Sequence, residues 1–274
     1  MSRVSLGRVH IVIGDTQVKP GVPTAHLSWI GQYIVDKFPS AFAASDVRII
    51  HLGDHWDMPS LSSYDVGKRA MEGRRVDQDI AAGNAGFDLL CEPLRDYNRK
   101  HRHAWWPDRH LLLGNHEDRI TRACESNAQL DGILSLNSLN ASQWGWKVHD
   151  FLEVVELEGI SFSHYFYNPN TGRPYSGDNL HPRLKTIGCS FTMGHQQGMK
   201  YAVRPVGNRH HHGLVLGSSY LHEENYLGPQ GNAYWRGIVV CHQVENGQYD
   251  PMFVSLDYLC RRYEKKTLSQ FLKA

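Results

Sequence analysis

The sequence lacks any long apolar run. Its hydrophobic stretches, such as residues 11–13 and 238–241, fall far below the roughly 20 residues that a membrane-spanning helix needs. It also lacks a fixed-period repeat, a low-complexity tract or a Ser/Gly-rich linker that would mark a second domain. Because 274 residues suffice to bury one large core, we expect a single domain over residues 1–274 and no contact with a membrane.

Excess charge and paired cysteines are absent as well. Twenty-nine Lys and Arg against 28 Asp and Glu leave a net charge of +1, which gives little support for a broad surface contacting phosphates. The five cysteines are widely spaced and never form CxxC, so we expect reduced thiols rather than disulfides or a thiolate zinc site. The first residues run into an apolar strand without a hydrophobic leader. These features predict a cytoplasmic protein.

Histidine, in contrast, is abundant, with 17 residues. Histidine is the commonest metal ligand and the side chain that most readily transfers protons near neutral pH. The question is therefore whether these histidines lie where a metal site or a catalytic site would need them.

The apolar pattern predicts an α/β fold. Strands over residues 9–13 and 47–52 flank a helix that begins after Thr24, whereas the second half is rich in strands with hairpin signals at 158–159 and 245–247. A further helix is expected from Val76 to Leu94, weakened in its middle by Gly83 and Gly86. Two sheets packed face to face with helices outside accommodate both halves.

Five predicted strands end in residue types that bind metals. Beyond the ends of α/β strands such side chains meet, so one shared metal site is expected. A glycine precedes the polar residue in four of the five, which permits a tight turn and close approach of the backbone. Gly-Asp after a single strand is usually only a turn, but five such endings in one chain favour a metal site. The five endings are Asp15-Thr16-Gln17, Asp54-His55-Trp56-Asp57, Asn115-His116-Glu117, His164 and His195-Gln196-Gln197.

The order of these endings resembles the signature of the calcineurin-like metallophosphoesterase superfamily, from Asp15 to Gln197. The blocks at residues 53–57 and 114–117 and the isolated His164 match that signature as they stand. Gln17 and Gln197 depart from it, because the signature has histidine at both positions. The sequence around Asp15 and Asp54 also resembles that of phage-encoded members, which would place the protein in the cytoplasm of a host.

The resemblance implies a four-layer α-β-β-α sandwich of two mixed sheets that carries two divalent cations. Asp54 would bind both cations. It also implies attack on phosphorus by a hydroxide that bridges the cations. The other ligands would be Asp15, Gln17 and Gln197 for the first cation, M1, and Asn115, His164 and His195 for the second, M2.

The two glutamines make the implied site asymmetric. They place amide oxygens where imidazole is expected, so M1 becomes an all-oxygen site suited to Mg²⁺, Mn²⁺ or Ca²⁺. M2 keeps two imidazoles and suits Mn²⁺, Fe²⁺ or Zn²⁺. We predict Mn²⁺ as the cofactor, with Mg²⁺, Ni²⁺, Fe²⁺ and Zn²⁺ as alternatives, and we expect M2 to fill first.

A metal-dependent phosphohydrolase is therefore predicted, with Asp54 and His116 as catalytic residues. His116 would stabilise charge or protonate the leaving oxygen, which favours phosphodiesters such as a nucleotide, a cyclic nucleotide or a nucleic-acid end. The alternatives are a nuclease acting on DNA or RNA ends, a phosphomonoesterase, and a binding module with a degraded M1 site. The oligomeric state is left open.

Contacts to the substrate are expected from Asn115, His116, His55, His222 and Arg119. The helical insertion over about 58–108 has a position that suits a cap. Its basic and aromatic residues would suit a nucleotide or a single strand, although a net charge of +1 over residues 65–110 fits a solvated helix face better. These residues are Lys68, Arg69, Arg74, Arg75, Arg95, Arg99, Lys100, Arg102, Trp105, Trp106 and Arg109. Asp57 is expected to support its loop rather than to bind metal.

Overall fold

The computed structural model describes residues 7–224 and 227–273. Its strands are β1 (Arg8–Ile13), β2 (Val47–His51), β3 (Asp108–Leu112), β4 (Lys147–His149), β5 (Val155–Leu157), β6 (Ile160–Phe162), β7 (Tyr167–Asn168), β8 (Arg173–Pro174), β9 (Ser190–Met193), β10 (Lys200–Val206), β11 (Arg209–Val215), β12 (Gly237–Glu245) and β13 (Gln248–Ser255). Its α-helices are α1 (Ala25–Lys37), α2 (Val76–Lys100), α3 (Asp118–Ser126), α4 (His181–Ile187), α5 (Gly228–Gly231), α6 (Leu256–Glu264) and α7 (Leu268–Phe271).

The strands form two mixed sheets and a small ribbon. The six-stranded sheet has the order β13-β12-β1-β2-β3-β4, and β1 to β4 run parallel to one another. The five-stranded sheet has the order β10-β11-β9-β6-β5, in which β11, β9 and β6 are parallel. Strands β7 and β8 pair only with each other. Each sheet thus has parallel central strands whose carboxyl ends share an edge.

Three apolar clusters define the layers. Ile11 and Val12, neighbours on β1, belong to different clusters because successive side chains of a strand point to opposite faces. Ile11 packs with the apolar faces of α1 and α2, whereas Val12 packs with Phe162 of the other sheet. The far face of the five-stranded sheet carries Phe191, which packs with Leu184 of α4. The predicted four-layer α-β-β-α sandwich of two mixed sheets is confirmed.

The long helix α2 contains Gly83, a position that weakens the helical pattern of the sequence. A Cβ atom at Gly83 would lie 1.9 Å from Cδ1 of Trp56, so glycine is what lets this indole pack against the helix. The helix α2 packs along α1 and belongs to the outer helical layer. The predicted helical insertion over 58–108 therefore has two different parts. Residues 59–75 contain short 3₁₀ turns, and the long helix α2 follows them. No described helix is both long and apolar enough to cross a membrane.

Glu158, in the turn between β5 and β6, connects the two sheets. Its carboxylate pairs with Arg8 and with His10 on β1, where His10 Nε2 lies 2.7 Å from Oε2. It also accepts a hydrogen bond from Arg48 of β2 at 3.1 Å. The hydrogen bond from His10, together with the two arginine charges, lowers the pKa of Glu158 to about 2. The ionised carboxylate thus stabilises the packing of one sheet on the other.

We expect Glu158→Gln to lower the free energy of unfolding at pH 7 by about 1 kcal/mol, a value that allows for screening by solvent. Because the folded-state pKa lies below the usual 4.5, this stabilisation is present above pH 4.5 and is lost as the pH falls towards 2. Urea denaturation of both proteins at pH 7 and at pH 2.5 measures the difference. Glu156→Gln, exposed on the same hairpin, is the control. An equal loss at both pH values would contradict the ionic role.

Candidate metal centre

Residues from both sheets meet where the central strands end. In the six-stranded sheet, Asp15 follows β1, Asp54 follows β2 and Asn115 follows β3. In the five-stranded sheet, His164 follows β6 and His195 follows β9. Hydrogen bonds between these side chains and the loops that carry them join the ends of all five strands, so the structure brings the predicted ligands into one place.

The tightest group contains the residues predicted for M2. His164 Nε2 lies 3.3 Å from Asp54 Oδ2 and 3.0 Å from Asn115 Oδ1, and His195 Nδ1 lies 2.8 Å from the same amide oxygen. One ligand atom each from Asp54, His164 and His195 lies within 4.8 Å of the others. The other nitrogen of His164, Nδ1, donates to the Leu52 carbonyl at 2.7 Å. This bond orients the ring so that Nε2 faces the group, as outer-shell partners of metal-binding histidines do.

The residues predicted for M1 are arranged differently. Asp15 accepts the backbone N–H of His195 and the side-chain amide of Gln197, each at 3.2 Å. Gln197 Oε1 in turn accepts a hydrogen bond from Ser218 Oγ at 3.0 Å. Gln17 Oε1 is buried and makes no hydrogen bond within the described part of the chain. Gln17 therefore offers a free oxygen ligand, whereas Gln197 is already engaged by its neighbours.

Glycines allow the carboxylates to lie against the ends of the strands. A Cβ atom at Gly114 would lie 2.1 Å from Asp54 Oδ1, and one at Gly194 would lie 2.4 Å from Asp15 Oδ1. These distances are too short for any side chain. The close approach expected from the glycine pattern is therefore present at both positions.

Three of the predicted ligands have left-handed backbone conformations. The φ angles are 41° at Gln17, 49° at Asp54 and 63° at His195. Such conformations cost non-glycine residues on the order of 1–3 kcal/mol each and cluster at functional sites. Here all three lie directly after strands that converge on the metal group.

Glu117 holds two of these strand ends together, a role that the sequence pattern did not reveal. Its buried carboxylate accepts four backbone hydrogen bonds at 2.6 to 3.0 Å. Three come from residues 54–56 after β2 and one from Gly114 after β3. Burial and the nearby Asp54 charge raise the pKa of Glu117. Only the adjacency of β2 and β3 reveals this contact.

The charges of the group are coupled. Burial favours neutral forms, but His116 and His164 lower the pKa of Asp54 below its usual range. Burial alone would lower the pKa of His164, yet the Asp54 charge raises it to about 9. Burial and the charge of His164 lower the pKa of His195 to about 4, so this ring is neutral at pH 7. Asp54 thus requires positive charge beside it, and His195 has a free electron pair to offer a cation.

A second paired group positions His116. Its Nδ1 lies 2.6 Å from Asp57 Oδ1, and its Nε2 lies 3.8 Å from Asp54 Oδ2. Burial lowers the pKa of His116, but the charges of Asp54 and Asp57 outweigh burial and raise it. Lys19 Nζ lies 2.8 Å from Asp57 Oδ2, and against the effect of burial, His116 together with Lys19 lowers the pKa of Asp57. Asp57, expected only to support its loop, therefore orients His116.

The loop after β9 is held from its outer side. Gln196 Oε1 accepts hydrogen bonds from Arg183 and Lys200, both at 3.0 Å. Gln196 Nε2 donates to the carbonyl of Tyr175 at 2.7 Å. Because Gln196 lies between His195 and Gln197, these contacts support the backbone that carries two predicted ligands.

A cavity of about 800 Å³ opens over one side of the group. Asn115, His116 and His195 line it, so these three predicted site residues are within reach of a ligand. Arg119 lines it as well, with its guanidinium donating to the Asp57 carbonyl at 2.7 Å. Residues of the segment 59–75 form another part of the lining.

Two predicted substrate contacts are corrected by the structure. His55 is fully buried, and its two ring nitrogens lie 2.6 Å from Thr16 Oγ1 and 2.9 Å from the Gly83 carbonyl. No nitrogen is left to contact a substrate, because both are used to join the strand end to α2. His222 Nε2 lies 2.7 Å from Glu224 Oε1, and Glu224 rather than His222 lines the cavity.

The donor set fits a divalent cation. A carboxylate and two imidazoles within one small group match the ligand preferences of Mn²⁺, Fe²⁺ and Zn²⁺. The unpartnered, buried Gln17 Oε1 adds an oxygen donor of the kind that Mg²⁺ and Mn²⁺ accept. Asp54, His164 and His195 are thus the residues that would hold the M2 cation.

Comparisons with known proteins add little to this geometry. No family model matches the chain, and no curated protein matches it. Among solved structures, Vps29 from Chaetomium thermophilum is similar at 10% sequence identity, over 90% of this chain and 97% of that chain, with a TM-score of 0.36. A likeness this distant carries no conclusion about function, so function has to be inferred from the site itself.

We expect Glu117→Gln to lower the free energy of unfolding by about 2–4 kcal/mol, because an amide NH₂ would face backbone N–H groups that now donate to oxygen. Urea denaturation measures this loss. Glu125→Gln, exposed on α3, serves as the matched control. Equal stability of the two variants would show that Glu117 does not hold the strand ends together.

Proposed function

We propose that this protein is a metal-dependent phosphohydrolase that prefers phosphodiesters. The observation that supports this most is the continuity between the metal group and the cavity. Asp54, His164 and His195 form the group, and His195 also lines the cavity beside Asn115 and His116. A ligand in this cavity would contact the metal group and the His116 imidazole at once.

The side chains of the site have complementary roles in such a reaction. A bound divalent cation would supply Lewis-acid polarisation of the phosphate and a water of lowered pKa. Asp54 supplies the negative charge that attracts the cation, and Asn115 presents its amide beside both imidazoles. Asp57 orients His116, and the raised pKa of His116 favours the protonated ring that would donate a proton to the leaving oxygen.

The charges around the cavity favour a monoanionic diester over a dianionic monoester. Five Lys and Arg line the cavity together with six Asp and Glu. Lys19 is paired with Asp57 and Glu224, while Lys68 and Arg74 are paired with Asp65. A dense cluster of free cations, which a phosphate dianion would need, is therefore not present among the described cavity residues. The same balance of charges along the cavity gives little support for a nuclease that binds a long polyanion.

We expect calorimetric titration with Mn²⁺ to show a tight site and a weaker one, because the M1 residues include two amides and one of these is already hydrogen-bonded. His164→Ala should lower the Mn²⁺ affinity of the tight site by more than the roughly 10- to 100-fold that is lost when an outer-shell partner of a ligand is removed. His210→Ala, an exposed histidine, is the control. Two equal Zn²⁺ sites together with full activity in zinc alone would contradict this asymmetry.

For the Mn²⁺-loaded protein and bis(4-nitrophenyl) phosphate, we expect His116→Asn to lower kcat by less than the roughly 10²- to 10⁴-fold that a general acid contributes with an alkoxide leaving group, because 4-nitrophenolate needs little protonation. Binding of Mn²⁺ should be retained, since His116 is not among the proposed ligands. The exposed His103→Asn is the control. Faster turnover of 4-nitrophenyl phosphate than of the diester would refute the diester preference.

A binding module with a degraded M1 site is the second candidate. The hydrogen bonds of Gln197 to Asp15 and Ser218 favour it, because they satisfy a predicted M1 ligand without any cation. Such a module would still bind Mn²⁺ through His164 and His195. It would turn over neither ester with Mn²⁺, Mg²⁺, Ni²⁺ or Zn²⁺, and this outcome distinguishes it from the enzyme.

A further inference from the structure

Residues 59–75, between β2 and α2, form one wall of the cavity that His116 also lines. Only part of the basic and aromatic set noted in the sequence lies there, namely Lys68, Arg74 and Arg75, joined by Tyr64. The other members of the set do not line the cavity. For example, Arg109 lies over the ring of Trp106, and Trp105 is buried with its Nε1 bonded to the Phe42 carbonyl.

Ion pairs and hydrogen bonds hold this wall in a defined position. Arg74 donates to Asp65 Oδ2 at 2.9 Å and to the Pro59 carbonyl at 2.8 Å. Asp79, on α2, accepts the Ser60 backbone N–H at 2.8 Å. Because Asp65 and Arg74 are paired, their chain neighbours Tyr64 and Arg75 are brought to the same wall.

Tyr64 and Arg75 are the members of this wall with unused binding capacity. Tyr64 is 81% exposed, and its ring lines the cavity instead of packing in a core. Arg75 is exposed, and its hydrogen bond to the Arg74 carbonyl involves no carboxylate. An exposed tyrosine alone needs no explanation, but Tyr64 shares its cavity with a cation that has no carboxylate partner among the described residues, so the cavity offers both an aromatic face and a positive charge.

Resting on the function proposed above, we propose that Tyr64 and Arg75 bind the nucleoside part of the substrate, which is a nucleoside phosphodiester. A base stacks on an aromatic face in any sequence context, and a guanidinium contacts bases, sugars and phosphates. A cavity of about 800 Å³ is far larger than one phosphoryl group requires and lies within the range of sites for drug-sized ligands. The excess of carboxylates along the cavity disfavours a phosphopeptide, whose phosphate is a dianion.

The test compares a diester that carries a base, thymidine 5′-(4-nitrophenyl phosphate), with one that carries none, methyl 4-nitrophenyl phosphate. We expect Tyr64→Ala to lower the ratio of their kcat/KM values about tenfold, the scale of one lost stacking contact, and Arg75→Gln to lower it as well. Tyr64→Phe should retain the ratio because it keeps the ring. The controls are Val66→Ala and Arg69→Gln, which lie on the same segment but do not line the cavity.

Failure of this inference and failure of the proposed function are distinguishable. If both diesters are hydrolysed and Tyr64→Ala leaves their ratio unchanged, the nucleoside contact is refuted while the phosphodiesterase stands. If neither is hydrolysed, titration of the Mn²⁺-loaded protein with the intact thymidine 5′-(4-nitrophenyl phosphate) decides the inference alone. Binding that is lost in Tyr64→Ala supports it, and no binding by the wild type overturns it. Tighter, Tyr64-dependent binding of a phosphoserine peptide would overturn the nucleoside assignment.

Discussion

Three carboxyl groups, those of Asp15, Asp54 and Glu117, are buried where the central strands of both sheets end. Burying a carboxyl group is costly unless its oxygens are hydrogen-bonded or paired with a cation. Glu117 meets this requirement with backbone N–H groups, Asp54 with His164 and a backbone N–H, and Asp15 with groups from the loop after β9. These bonds join the two sheets at one edge, so the same contacts close the sandwich and assemble the site.

The satisfied carboxylates also explain how strained backbone is tolerated. Asp54 keeps a left-handed conformation because its N–H is bonded to Glu117 and its carbonyl accepts the N–H of Gln17. His195 keeps one because its own N–H is bonded to Asp15. The ligand atoms are thereby positioned before any cation arrives, which is what tight and selective binding requires.

Most of the site could be predicted from the sequence because a strand that ends in glycine and a polar residue is a local pattern. The same pattern gave a wrong prediction of a substrate contact at His55, because its ring nitrogens are hydrogen-bonded to Thr16 and to α2. It assigned no role to Glu117, since that carboxylate acts only where β2 and β3 lie side by side. Strand β10 was not predicted either. Its Pro205 is tolerated because β10 is an edge strand.

The sequence by itself determined the layered α/β architecture and the order of the strand ends. Both depend on residue type and short-range spacing. Only the tertiary structure decided which histidines keep a free nitrogen, that Asp57 orients His116, and that Tyr64 and Arg75 face the cavity. The physical reason is that hydrogen-bonding capacity is used up by partners distant in the chain, and spacing along the sequence does not record which partners packing will bring together.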